Sequence, residues 1–145
     1  MIVADTSPLI GLGVLGRLDL LPSLFRDVLV PPEVVGEALR GQRSGAWEIQ
    51  RALDEGTLQV REAAEPGRFR AQLDPGESSA LALAVELAAE LLLIDERRGR
   101  RVAQAEGIAV IGTLGVLHLA SALGLLEELE APLAALRDHG FRLPR

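Results

Sequence analysis

Short apolar runs alternate with longer segments of helical periodicity along the chain. Five runs have the length of strands and consist of apolar residues throughout or nearly so: Ile2–Ala4, Val28–Val30, Leu58–Val60, Leu91–Ile94 and Ala109–Ile111. Parallel strands are covered on both faces of the sheet, so continuous apolar runs are typical of them. The pattern therefore predicts a sheet of about five mostly parallel strands.

The segments between these runs predict helices. Their ranges are Pro8–Leu24, broken near Gly16, then Pro32–Leu39, Gly45–Glu55, Glu77–Ala89, Arg97–Glu106, Thr113–Leu123 and Glu127–Asp138. Pro31-Pro32 ends a strand and begins a helix, since proline suits the first helical turn. Gly107 has the position of the glycine that follows a helix C-terminus. Together these elements predict one α/β domain over residues 1–145, with a core at about 1–123 and a last helix at about 127–139.

Composition narrows the class of protein. Hydrophobic residues make up 48% of the 145 residues, which excludes a disordered chain. No stretch approaches the roughly 18 uninterrupted apolar residues of a membrane span, and the N-terminus lacks the pattern of a signal peptide. Cysteine is absent, which excludes disulfides and thiolate metal sites. We therefore expect a cytoplasmic protein without membrane partners.

Charge argues against one kind of nucleic-acid binding. The formal net charge is −6, which argues against a general nucleic-acid-binding protein that acts through a basic surface. A metal-dependent nuclease stays possible, because its carboxylates carry negative charge until cations bind. All 15 basic residues are arginine. The absence of lysine disfavours aspartyl-phosphate enzymes, because these enzymes usually use a lysine to neutralise the phosphoryl group. Phosphatases of this class also carry a second Asp two residues after the first, and Ser7 occupies that position.

Acidic residues follow two of the predicted strands. Asp5 comes directly after Ile2–Ala4, and Asp95 directly after Leu91–Ile94. Ligands of open parallel sheets bind beyond the carboxyl ends of the strands. If the two strands are neighbours, the carboxylates lie close together and require a proton or a cation between them. Oxygen ligands of this kind suit Mg²⁺.

Two further acids can reach the same edge of the sheet. Glu77 falls in the first turn of its helix, and either Glu37 or Glu33, one turn apart, is a candidate from the preceding helix. Each acid also has a structural alternative. Asp5 and Asp95 could simply cap helices. Glu77 could stand in the first turn simply because the helix dipole favours an acid there. A solvated position would explain the glutamate at 37.

The order of these motifs resembles the PIN-domain nucleases, which include the toxins of VapBC toxin–antitoxin pairs. The similar segments are VADTSPLI, VPPEVVGEAL, LDPGESSALALA, LLLIDERRGRRVA and GIAVIGTLGVL, which reach from the first strand to about Leu123. The resemblance implies a three-layer α/β/α domain with five parallel strands in the order 3-2-1-4-5. It implies a Mg²⁺- or Mn²⁺-dependent endoribonuclease that cleaves single-stranded RNA, possibly as a VapC-like toxin.

The resemblance also assigns site residues. The four acids are Asp5, Glu37, Glu77 and Asp95, which are the expected metal ligands and catalytic residues, with Thr6 or Ser7 in support. Asp5 and Asp95 would be the central ligands, and Glu37 and Glu77 would bind through water or orient it. The chain departs from the family at Glu77, where many members have Asp and where Asp74 competes.

An arginine-rich run after Asp95 is a second departure, and it questions the toxin role but not the fold. Arg98 or Arg101 could contact the phosphates of RNA; the alternative is a solvated helix surface. The loops at 40–44 and 61–74 are candidates for setting the RNA target.

Other interpretations of the sequence remain. GLGVLG at 11–16 matches a dinucleotide pattern, but it lies inside a predicted helix rather than at a strand end, so close helix packing is favoured and no dinucleotide is expected. A PIN-like domain with weak or no catalysis, acting as an interaction module, is the main alternative function. The apolar helix Thr113–Leu123 predicts a homodimer, and a toxin would also bind a small antitoxin.

Overall fold

The structure is a computed structural model that describes residues 1–42 and 44–143 of the chain. Its strands are β1 (Ile2–Ala4), β2 (Val28–Val30), β3 (Leu58–Val60), β4 (Leu91–Leu93) and β5 (Val110–Ile111). Its α-helices are α1 (Thr6–Val14), α2 (Leu20–Leu24), α3 (Pro32–Leu39), α4 (Ala46–Asp54), α5 (Pro75–Leu87), α6 (Arg97–Ala105), α7 (Thr113–Ala122) and α8 (Glu130–Asp138). A short 3-10 turn, Arg40–Gln42, follows α3.

The five strands form one parallel sheet in the order β3-β2-β1-β4-β5. This confirms the predicted topology. Strand β1 is central: Ile2 pairs with Val28 of β2 on one side and with Leu91 of β4 on the other. The strands that carry Asp5 and Asp95 at their ends are therefore neighbours.

Helices cover both faces of the sheet. Successive residues of a strand point to opposite faces, yet Ile2, Val3 and Ala4 are all buried. Strand β2 is buried over its whole length too. Continuous burial of this kind requires a helical layer on each side, which gives the three-layer α/β/α arrangement.

The predicted boundaries differ from the observed ones mainly at helix starts. The segment Pro8–Leu24 is two helices, and the chain between them passes through Gly16 at φ +66°, as the predicted break required. Helix α5 begins at Pro75, two residues before the predicted start, because Asp74 caps it and proline fits its first turn. The last helix begins at Glu130 rather than Glu127.

The two loops considered for the RNA target differ in what the structure shows. The segment after β3 is packed onto α5: the Ser78 hydroxyl donates to the carbonyl of Pro66 and accepts from the backbone N–H of Phe69. The loop at 40–44 includes Arg43, which lies outside the described residues.

Membrane insertion has no candidate element here. None of the helices in the described ranges combines the length and the apolar character that crossing a bilayer requires.

The GLGVLG segment serves close packing, as predicted, since Gly13 of α1 lies against Gly45 before α4. A Cβ on Gly13 would lie 2.9 Å from the Gly45 carbonyl oxygen, which is backbone and cannot easily move. We expect Gly13→Ala to lower the free energy of unfolding by about 1–3 kcal/mol, measured by urea denaturation. The matched control is Gly36→Ala in α3, where no atom lies within 4 Å of the added Cβ. Its expected effect is neutral or a stabilisation of up to about 1 kcal/mol, and equal losses in the two variants would contradict the prediction.

Candidate active site

The pairing of β1 with β4 brings two acids to one edge of the sheet. Residue 5 follows β1 directly, and its backbone N–H donates to the Leu93 carbonyl at 2.9 Å. Asp95 comes two residues after the end of β4. Parallel strands end at the same edge, so these two carboxylates face a common space.

An open cleft of about 1100 Å³ lies at this edge. All four predicted acids line it, namely Asp5, Glu37, Glu77 and Asp95, together with Thr6 and Ser7. Asp74, the competitor for the third position, lines it as well. Glu33 is not among the lining residues, so the geometry favours Glu37 in the choice that helical spacing left open.

Glu37 is held by two donors from neighbouring elements. The Thr6 hydroxyl donates to Oε2 at 2.8 Å, and the backbone N–H of Gly76 donates to Oε1 at 3.2 Å. A Cβ on Gly76 would lie 2.6 Å from Oε2 of Glu37, so only glycine leaves room for the carboxylate. Residue 76 was missed by the sequence reasoning, although it stands next to Glu77 in the DPGE segment.

Asp95 accepts three hydrogen bonds. The Thr113 backbone N–H donates to Oδ1 at 2.6 Å, and the hydroxyls of Thr113 and Ser7 donate to Oδ2 at 2.7 and 2.9 Å. Thr113 is the first residue of α7 and follows Gly112, where a Cβ would lie 2.8 Å from Oδ1. The sequence analysis did not include Thr113 in the site, but the GTLG segment carries a helix-start signal that could have indicated it.

Glu77 both takes part in the start of a helix and lines the cleft. Its backbone N–H donates to the Asp74 carboxylate at 2.9 Å, and its own Oε1 accepts from the Asp74 backbone N–H at 3.3 Å. This pair is a capping box that begins α5. Because the side chain also lines the cleft, capping orients Glu77 and does not remove it from the site.

Asp5 does not act as a helix cap through its side chain. It stands at the N-cap position of α1, but no side-chain capping hydrogen bond is formed there. The residue is 5% exposed, and its buried Oδ1 has no hydrogen-bond partner. A buried carboxylate oxygen without a donor is costly, which indicates that the site requires a proton or a cation at this atom.

The electrostatics of the cleft agree with that requirement. The pKa of Asp5 is raised from 3.8 to about 8, mainly by burial and also by the carboxylates of Glu77, Asp74 and Glu37, although the backbone N–H of Thr6 lowers it. Burial likewise raises the pKa of Glu77 to about 7, with Asp74 contributing. The two acids therefore hold protons near neutral pH unless another positive charge replaces them.

The residues present fit a divalent cation. The group supplies only carboxylate and hydroxyl oxygens, the donors that Mg²⁺ and Mn²⁺ prefer, and includes the unpartnered Oδ1 of Asp5. Within residues 1–42 and 44–143, however, no three acidic or histidine side chains are already arranged as a metal-binding group. Glu37 and Asp95 instead direct their oxygens to hydroxyl and amide donors.

The cleft has two other walls: α6 contributes positive charge, and the C-terminal segment contributes apolar surface. Helix α6 contributes Arg97, Arg100, Arg101 and Gln104. Arg101 was predicted to reach the site and lines it; Arg98, the other predicted arginine, does not. The C-terminal segment at 139–143 forms the remaining wall, and its Phe141 ring borders the space above Gly11. No sequence signal pointed to this segment.

The chain is similar to a known protein family and to a solved structure. The profile of a family described as PIN domain matches residues 1–145. A solved structure of a PilT N-terminus domain protein from the hyperthermophilic archaeon Sulfolobus solfataricus P2 is similar, with a TM-score of 0.64 and 22% identity. The similarity covers 88% of this chain and 96% of that chain. Among curated proteins, no match to this sequence is found.

The raised pKa of Asp5 predicts how stability depends on pH. The folded chain keeps a proton up to about pH 8 that the unfolded chain releases near its ordinary pKa of 3.8. In a chelator, the free energy of unfolding should therefore fall as pH rises from about 4 to about 8. Asp5→Asn removes the titrating group, so it should flatten this fall and stabilise the chain at pH 8 by about 1–3 kcal/mol. Urea denaturation at several pH values measures both effects.

The control for this experiment is Asp27→Asn, which changes an exposed aspartate just before β2. It should keep the wild-type pH profile. Parallel profiles for wild type and Asp5→Asn would contradict the raised pKa.

Proposed function

The chain belongs to the PIN-domain family, whose members are typically nucleases, and we propose that it is a divalent-metal-dependent endoribonuclease for single-stranded RNA. One observation carries the proposal: a buried aspartate with an unpartnered oxygen faces an open cleft that is lined by five further acidic residues. The cleft is large and open, as a polymer substrate requires. Mg²⁺ or Mn²⁺ is the proposed cofactor.

Asp5 and Asp95 are the proposed central ligands of the cation. Oδ1 of Asp5 has no competing donor, and Oδ1 of Asp95 accepts only one bond, so each keeps a free lone pair. Glu37 and Glu77 each have one oxygen or lone pair left to hold a water molecule. When bound, the cation would lower the pKa of a water molecule and offset charge on the phosphate in the transition state.

The hydroxyls and amides around the acids fix their orientation. Thr6 holds Glu37, and Ser7 and Thr113 hold Asp95, so these side chains keep one conformation as the substrate enters. Preorganisation of this kind lowers the cost of reaching the transition state. These hydrogen bonds favour the supporting role that the resemblance implied for Thr6 or Ser7.

We further propose that the protein is the toxin of a toxin–antitoxin pair. The motif order VADTSPLI to GTLGVL supports a family that includes such toxins, whereas the arginine-rich run after Asp95 departs from them; a small antitoxin would cover the acidic cleft. A short neighbouring reading frame that encodes a DNA-binding protein is the observation that would support it most directly.

Cleavage of single-stranded RNA tests the main proposal. With Mg²⁺ or Mn²⁺, wild type should cleave, and Asp5→Asn should lower kcat/KM on the order of 100-fold or more, because a ligand and a charge are lost. Glu37→Gln should lower it about 10- to 100-fold. Glu33→Gln is the matched control, one turn earlier on α3 and outside the cleft, and should stay within about twofold of wild type.

Two outcomes would overturn this assignment. Equal activity of wild type and Asp5→Asn would show that the cleavage is not made at this site. No Mn²⁺ binding by calorimetry at millimolar concentration, together with no cleavage, would favour the alternative of an interaction module.

Exposed leucines after α7 support a homodimer. Most of α7 is covered by the core, but Leu123 and Leu125 are 62% and 37% exposed. We expect a dimer by light scattering at micromolar protein and weaker association for Leu123→Ser. Val60→Ser, at a residue that is 56% exposed on strand β3, is the control and should leave the dimer unchanged. A monomeric wild type would contradict the proposal.

A further inference from the structure

Helix α6 turns one polar face to the cleft. Arg97, Arg100, Arg101 and Gln104 line it, and we call these four residues the arginine face. Their spacing of i, i+3, i+4 and i+7 places them on one side of a helix. Arg98, one position away, is exposed but does not line the cleft. The helix therefore selects which arginines of the RRGRR run reach the site.

The position of these arginines is unfavourable for the helix itself. Arg97 begins α6, and Arg100 and Arg101 lie in its next turn, where the helix dipole disfavours cations. The acidic residue at this end is Glu96 at the N-cap, whose carboxylate accepts from the backbone N–H of Arg98; the first turn itself has none. Among the described residues, the ion pairs within 4 Å involve none of these arginines. Three cations that lack close anionic partners thus face the cleft.

Arg100 lies close to Asp95 at the cleft. A Cβ on Gly112 would lie 2.8 Å from Oδ1 of Asp95 and 3.7 Å from Nη1 of Arg100, so both groups border the same space. The guanidinium of Arg100 therefore adjoins the acidic centre. Arg97 and Gln104, seven residues apart, extend the face over roughly 10 Å along the helix axis.

We propose that the arginine face binds consecutive phosphates of the single-stranded RNA, with Arg100 on the phosphate that adjoins the acids; this rests on the proposed function. A face of roughly 10 Å is long enough to meet more than one phosphate of an extended strand. Such contacts position the strand without reading its sequence. They also explain how a chain of net charge −6 holds a polyanion: three arginines line the cleft on α6, and Arg142 lines it from the C-terminal segment.

The competing explanation is that these arginines only offset the charge of the carboxylates. Counter-charges of that kind would affect the acids and the stability of the chain. If so, replacing one arginine would not change the slope of log affinity for RNA against log salt concentration. Binding must therefore be measured apart from catalysis and as a function of salt.

The experiment uses fluorescence anisotropy of a short, fluorescein-labelled, single-stranded RNA of mixed sequence. It is performed with the full chain carrying Asp5→Asn, in EDTA, so that neither cleavage nor a metal ion is needed for the signal. In this background, Arg100→Gln and Arg101→Gln should each weaken binding about three- to tenfold. Each should also reduce the slope of log affinity against log salt by about 0.7, the value for one phosphate of a single strand. Arg100→Lys should keep the slope.

Arg98→Gln is the matched control, since it removes the same charge from the same helix outside the cleft. It should leave the affinity within about twofold and the slope unchanged. No RNA binding by the parent chain, an equal effect of Arg98→Gln, or an unchanged slope in Arg100→Gln would each overturn the proposal. Because the readout needs no catalysis, a chain that binds in this pattern but never cleaves would overturn the proposed function instead.

Discussion

Several carboxylates held together at a buried edge are the constraint on which the rest of this structure depends. Bringing such groups out of water and next to one another is unfavourable, and the raised pKa of Asp5 expresses that cost. The parallel pairing of β1 with β4 makes the meeting unavoidable, because both strands deliver an acid at the same edge. The surrounding residues are arranged around this unfavourable group.

The acids differ in how they are satisfied. Glu37 and Asp95 are fixed by hydroxyl and amide donors, and Glu77 shares a capping box with Asp74. Of these four acids, Asp5 is the one with a buried oxygen that has no donor among the described residues. The first three are positioned by protein donors, while Asp5 requires a proton or a cation. This division lets the chain fold to a defined site around one unsatisfied carboxylate.

Much of the fold could be predicted from the sequence, because apolar runs determine strands with little ambiguity. The first three strands have the predicted bounds, and Asp5 and Asp95 were found by their places at strand ends. Helical phase was harder. Periodicity could not choose Glu37 over Glu33, nor show that Arg100 rather than Arg98 faces the cleft, since each choice depends on how a helix is rotated against the sheet.

Contacts distant in sequence were beyond such reasoning. The wall at 139–143 depends on the path of the chain after α8, which no local pattern records. Trp47 of α4 is a further case: it is 69% exposed and lies beside Arg51, although a large apolar residue on an amphipathic helix usually faces the core. An aromatic residue on an amphipathic helix carries no signal that separates the rim of the buried face from its centre.

Gly76 and Gly112 leave room for two carboxylates of the cleft. The carboxylate of Glu37 occupies the space that a Cβ would fill at Gly76, and the carboxylate of Asp95 does the same at Gly112. An acid can be inherited while the space it needs is lost. Chains that keep all four acids but carry larger residues at these two places must arrange their carboxylates differently. The two glycines are thus part of the arrangement that holds Glu37 and Asp95 in their present positions.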